Sequence, residues 1–228
     1  MDGLALVVLK YVPRYVSDFG RLLIEPKRFL SQECAKPNNS FQYALAFFAL
    51  STTVQVILLL ASASRVDAVG MVTPYTLRFA IASFVALILF ALNVHWAWRL
   101  VGGTAKIRDT FVVGSYLCGA VNVIATFVLL LGMGVAIAFD SPSYECVRSN
   151  SENSSVCSKA DVRAILAVLS IYIVGALAIL VWFLSLWGIY RILNNSTKLR
   201  SFFAYCIGAV SSIVPSAILF FLFYDVAL

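Results

Sequence analysis

Five apolar stretches dominate the chain: Phe41 to Ser64, Leu77 to Trp98, Thr110 to Phe139, Ala164 to Trp187 and Phe202 to Tyr224. A helix crosses the hydrocarbon of a bilayer in about 20 residues, so each stretch is long enough to span. The third has length to spare, enough to tilt, to break near Gly132 and Gly134, or to continue past the membrane surface. An outer-membrane barrel is excluded, because its strands would read as about ten residues of alternation. Charged residues make up only 12% of the chain and hydrophobic ones 61%, a balance that could not cover the surface of a soluble domain. The sequence therefore predicts an all-α polytopic membrane protein. Residues 1–40 form a cytoplasmic segment with an amphipathic helix, and residues 41–228 a domain of five transmembrane helices, at about 41–64, 77–98, 110–139, 164–187 and 202–224. No secretory leader is expected, since the basic residues of 1–40 are spread among acids rather than placed before an apolar run.

Lysine and arginine set the expected orientation. Lys10, Arg14, Arg21, Lys27, Arg28 and Lys36 precede the first span, Arg99, Lys106 and Arg108 follow the second, and Arg191, Lys198 and Arg200 follow the fourth. The opposite side carries only Arg65, Arg78, Arg148, Lys159 and Arg163. Short basic connections stay in the cytoplasm, which puts the N-terminus there and Asp225 to Leu228 outside or in a lumen. The formal charge of +6 then reads as orientation and contact with anionic headgroups. Nucleic acid is not an expected partner, because the basic residues do not cluster on one face.

Before the first span, Tyr15, Phe19, Leu22 and Leu23 recur at helical spacing and Phe29 follows beyond Pro26. Such a helix is expected to lie along the interface with its aromatic side in the acyl boundary, and to end or kink at Pro26. Its blander reading is a lead-in that fixes the first span.

The longest hydrophilic connection, residues 140–162, holds Cys146 and Cys157. Placed outside the cytoplasm, they are expected to form a disulfide that staples a loop without a core; unlinked surface thiols are the alternative. Asn153-Ser154-Ser155 has glycosylation spacing, a weak signal in a Ser/Asn-rich loop. No metal site is expected, since His95 is the one histidine and lies far from these cysteines.

Within the spans the polar residues are Thr52, Thr53, Gln55, Asn93, Asn122 and Thr126, with no acid or base near a midplane. That argues against an ion-coupled pump and favours hydrogen bonds between helices. Ala204, Gly208, Ser212 and Ser216 recur every fourth residue of the last span, and Ser115 with Gly119 repeats the pattern in the third. These faces admit close helix approach, first within the chain and second in a dimer. Trp96, Trp98, Trp187 and Tyr190 sit where an aromatic belt belongs.

In the Arg99–Asp109 connection, Gly102 and Gly103 permit a tight turn, Thr104 is placed to cap the next helix, and Lys106 and Arg108 face headgroups or a partner. A phosphate cradle is the rival, but two glycines without the rest of a nucleotide motif are more often a turn. At this point the chain resembles the Yip domain family of Ypt/Rab-interacting multi-pass membrane proteins. The resemblance rests on Leu22-Leu23-Ile24-Glu25-Pro26-Lys27-Arg28-Phe29, on Leu100-Val101-Gly102-Gly103 with the basic Thr104 to Arg108, and on the five-span layout. It implies a cytoplasmic N-terminus, a luminal C-terminus, homo- or hetero-oligomers and a link to vesicle trafficking in eukaryotic members. Only about 40 residues precede the first span, so the chain looks closer to the short prokaryotic form, or to a divergent subunit recruited into a larger membrane assembly, and the cysteine loop is not carried over from the family.

Three function classes follow. A non-enzymatic membrane scaffold or complex subunit, with lipids and other integral membrane proteins or itself as partners, leads. A facilitated channel or transporter of small solutes or lipids is second, and an enzyme third, since the chain supplies a base or metal site poorly, with lone His95 far from any carboxylate in sequence, and no cofactor is implied.

Overall fold

A computed structural model of the chain describes residues 2–36, 40–64, 69–139, 162–185 and 187–224. Among them there is no strand; every element is a helix. In chain order these are α1 Asp2–Ile24, α2 Pro26–Ala35, α3 Ser40–Ser64, α4 Val69–Leu100, α5 Ile107–Phe139, α6 Val162–Ser185, α7 Trp187–Leu193 and α8 Lys198–Tyr224. Among the described residues, three helical segments are long and apolar enough to cross a membrane: Ser40–Ser62, Ala80–Leu100 and Ile107–Val135. α6 carries a shorter apolar segment, Leu166–Trp182. The described chain is thus helical and built for a membrane. Cys146, Cys157 and Asn153 lie outside the described residues; Cys34, Cys118 and Cys206 are free thiols.

The chain divides into two compact units, Met1–Val123 with Phe183–Leu228, and Ile124–Trp182. In the first, α1 and α2 are separated by one residue. Glu25 leaves the helical region (φ −128°, ψ 58°), and Pro26 opens α2, where a missing N–H costs nothing. The pair packs on α3 and on the N-terminal part of α5 through aromatic contacts. Tyr15 and Phe19 meet Phe47 at 5.1 and 6.1 Å between ring centroids, and Tyr116 meets both Phe47 (4.8 Å) and Phe29 (5.0 Å, edge-on). Leu22, Phe29, Phe47 and Tyr116 are all but fully buried.

That packing corrects the expected orientation of α1. Of the side assigned to the acyl boundary, Leu22 and Phe29 are buried and Tyr15 and Phe19 half-buried, while Leu23 joins Val12, Val16 and Ile24 on the outward stripe. The reason is chemical: Tyr11, Arg14 and Asp18 lie on the inward face too and bring their polar ends to partners there. An aromatic belt at Trp98 and Tyr190 is likewise corrected. Both are buried, with their rings 6.4 Å apart and nearly parallel, whereas Trp96 is exposed.

The second unit shows reciprocal packing between α5 and α6. A side chain at Gly132 would meet the Tyr172 ring at 2.5 Å, and one at Gly175 would collide with Val128. Each helix offers a glycine to the other's bulky residue, which brings the backbones close and maximises dispersion contact where hydrophobicity gives no drive. α5 continues unbroken through Gly132 and Gly134 to Phe139; the close partner, not a bend, explains the first of these glycines.

Candidate functional site

The basic connections of the first unit converge. α4 ends in a Schellman turn: Gly102 takes φ +83°, its N–H donates to Arg99 O, and the Gly103 N–H donates to Trp98 O. α7 ends the same way, with Asn195 at φ +46° donating to Ile192 O and Ser196 donating to Arg191 O. Gly and Asn are the residues that adopt this left-handed conformation most readily.

Asn194 locks the two turns together. Its side-chain amide donates to Tyr190 O at 2.9 Å, and its carbonyl accepts the Ala105 N–H at 3.2 Å. The amide is buried. Gly103 is required by this contact, since a Cβ there would overlap Asn194 Oδ1 and approach Trp98 O to 2.7 Å. Thr104 does not cap α5; its hydroxyl donates to Asn194 O at 3.4 Å. The Gly102 and Gly103 amides are spent on closing α4, which leaves them unavailable to the rival phosphate cradle.

The N-terminal segment joins the same end of the unit. The Lys27 side chain crosses Gly188, where a Cβ would stand 3.2 Å from its Cε, and Arg108 donates to Ser40 Oγ at 2.9 Å. Arg200 reaches Gly102, and Lys106 is exposed. The three connections expected on one side of the bilayer therefore touch one another.

A charged cluster ties α1 to α2. Arg14 pairs with Asp18 and with Glu33, each at 2.8 Å, while Lys36 adds a second cation to Glu33 and Tyr11 donates to Asp18. Asp18 and Glu33 are each 1% exposed. Burial, then the neighbouring Tyr116 and the Asp18 carboxylate, drive the Tyr11 hydroxyl far above its usual range. For Arg14 burial acts against the charge, but the two carboxylates outweigh it and raise the pKa. One oxygen of Glu33, Oε2, is buried without a hydrogen-bond partner. The charges sum to neutral, which keeps this cluster a tether rather than an ion site.

The small-residue faces lie between helices of the same chain. A Cβ on Gly119 would stand 3.0 Å from both Phe47 and Ser51 of α3, and Ser115 is fully buried beside it. Ala204 is buried, and Gly208 faces Ala97 of α4 with room for one methyl at 3.6 Å. Asn93 of α4 donates to Gly208 O at 2.9 Å and accepts from Ser211. Beside this contact, α4, α7 and α8 enclose a largely apolar cavity of about 360 Å³ that Ser212 helps to line. The Ser216 side chain lies outside the described residues. No group of three or more potential metal ligands occurs among the described residues, and His95 sits 3.4 Å from Thr110 Oγ1.

Comparison of the chain with protein-family models, with curated proteins and with solved structures returns no match.

The tether and the Asn194 lock are absent from a sequence reading. The signal for the first was Tyr11, Arg14, Asp18 and Leu22 at helical spacing on one face. For the second it was Asn194-Asn195 directly after an apolar helix, the usual place for a left-handed cap.

Proposed function

We propose that this protein is a non-enzymatic integral membrane scaffold or complex subunit. It crosses the bilayer five times, with its N-terminus cytoplasmic and its C-terminus on the far side. Its basic end lies on anionic headgroups and its outward helix faces meet lipid and partner spans. The observation that best supports this reading is the meeting of the three basic connections around Asn194, as the positive-inside rule requires of loops sharing one compartment. α6 adds surface for partners, with Leu169, Val174, Leu177 and Val181 all exposed. α1 and α2 form the interfacial element, and Val12, Val16 and Ile24 enter the acyl boundary. The resemblance to the Yip domain family favours assembly with other membrane proteins and, in a eukaryote, a trafficking role. The Cys146–Cys157 disulfide belongs to this reading as a staple of the far-side loop.

Facilitated passage of small solutes or lipids is the second reading. It is favoured by the Gln55 amide oxygen and the Ser115 hydroxyl, both buried without a hydrogen-bond partner. Against it, Asn93 is committed to holding α4 on α8.

The test is purification from native membranes in mild detergent, followed by identification of bound proteins, alongside labelling of Lys106 and of a tag beside Glu152 with an impermeant reagent. A stoichiometric protein complex and labelling from opposite sides are expected. A monomer that conducts solute after reconstitution would replace the scaffold by the second reading, and labelling from one side would overturn the threading.

A further inference from the structure

The geometry points to a binding site for one anionic phospholipid in the cavity between α4 and α8, with an acyl chain inside and the headgroup on Arg200. The inference rests on the membrane reading above. Phe90, Trp98 and Tyr205 wall the cavity and hold its sides apart, while Ala204 and Gly208 leave its floor low. From Phe90 to Trp98 the lining follows α4 for about 12 Å at the rise of an α-helix.

Its occupant follows from what the walls offer. A part-open apolar cavity of about 360 Å³ forfeits dispersion contacts along its walls when nothing fills it. Water is a poor filler, since it needs two to four polar partners: Asn93 spends its amide on Gly208 and Ser211 and Ser212 donates to Ala209 O, while the Tyr190 hydroxyl, buried without a hydrogen-bond partner, is a single contact. A flexible hydrocarbon chain satisfies the aromatic walls, and the bilayer supplies one at high concentration.

Charge selects the headgroup. Arg200 precedes Ala204 by four residues and Gly208 by eight, so it stands on the same helical face one turn toward the basic end. Its guanidinium lies against the turn that closes α4, 3.7 Å from where a Gly102 Cβ would be. Among the described residues no carboxylate forms an ion pair with it. A phosphate at the membrane surface is thus the available anion.

The test mixes the full-length protein in mild detergent with equal amounts of dioleoyl phosphatidylglycerol and dioleoyl phosphatidylcholine and counts retained lipids by native mass spectrometry. One retained lipid is expected, with the glycerol form preferred about fivefold, the worth of one basic residue at an anionic surface. Ala209→Trp and Ser212→Phe, which fill the cavity from its rim, should each lower retention by about tenfold or more through the lost burial of a few methylenes. Arg200→Gln should keep retention and abolish the headgroup preference. Equal retention by the wild type and both filling variants overturns the site, and so does a preference that survives Arg200→Gln. Carbonate extraction separates this from the parent reading: release of the protein from membranes sinks the membrane assignment, whereas tight membrane retention with unaltered lipid counts sinks the lipid site alone.

Discussion

Asn194 and Gly103 share one small space: the buried amide of the first lies where any side chain on the second would have to go. Gly103→Ala should therefore cost about 1–3 kcal/mol, since both obstacles, Asn194 and the Trp98 carbonyl, are held by hydrogen bonds. Asn194→Ala should cost a similar amount by orphaning the Ala105 N–H. The double variant should lose less than the two together, because the second change empties part of the space the first needs. Thermal unfolding in detergent measures all three, and full additivity would contradict the shared space.

Arg14 is the only residue pairing with both buried carboxylates among the described ion pairs. Arg14→Ala should destabilise the protein by about 3 kcal/mol by leaving Asp18 and Glu33 undercompensated. Hydrogen exchange should rise first in α1 and α2. Exchange that rises uniformly, or not at all, would mean the tether carries no such weight.

Gly132 and Tyr172 supply a cleaner test in the second unit. Gly132→Ala drives a methyl into the ring and should cost about 1–3 kcal/mol. In a Tyr172→Ala background the same change should be close to neutral. A double-mutant cycle gives the coupling directly, and a value near zero would separate the two residues.

Cys34 predicts a pH dependence. Burial first, then the Asp109 and Glu33 carboxylates, push its thiol from 9.0 up to about 12. The folded state therefore binds the thiol proton more tightly than the unfolded chain. The stabilisation is complete below pH 9.0 and is lost as pH rises from there through about 12. At pH 8 the native thiol should alkylate roughly a hundredfold or more slower than a free cysteine, through scarce thiolate and restricted access together. Its rate should still be climbing at pH 10, where a free thiol has levelled off. A plateau near pH 9 in the mass-spectrometric time course would remove the proposed shift.

Much of the architecture was legible in the chain because lipid leaves the backbone few options. Long apolar runs become helices when no water can satisfy the peptide groups, and α3, α4 and α5 appear where such runs lie. Gly102 was readable as a turn because a residue without a Cβ enters the left-handed region at little cost. What escaped was anything depending on which face meets which neighbour. Tyr15 and Phe19 are apolar enough for lipid or for Phe47, and periodicity alone does not distinguish the two. Asp18 and Glu33 look like surface residues until Arg14 is seen between them, because a buried carboxylate is tolerable only with a partner nineteen residues away in sequence from one of them. Trp98 was misplaced similarly: an aromatic near a helix end fits a belt, yet Tyr190, far along the chain, makes it core.

The Asn194 lock also dictates an order of manufacture. Ala105 finds its acceptor 89 residues downstream, so its amide must rely on other partners until the chain has been made at least that far. A nascent protein stalled before that asparagine would display an unclosed loop, and synthesis beyond it is what lets the loop shut.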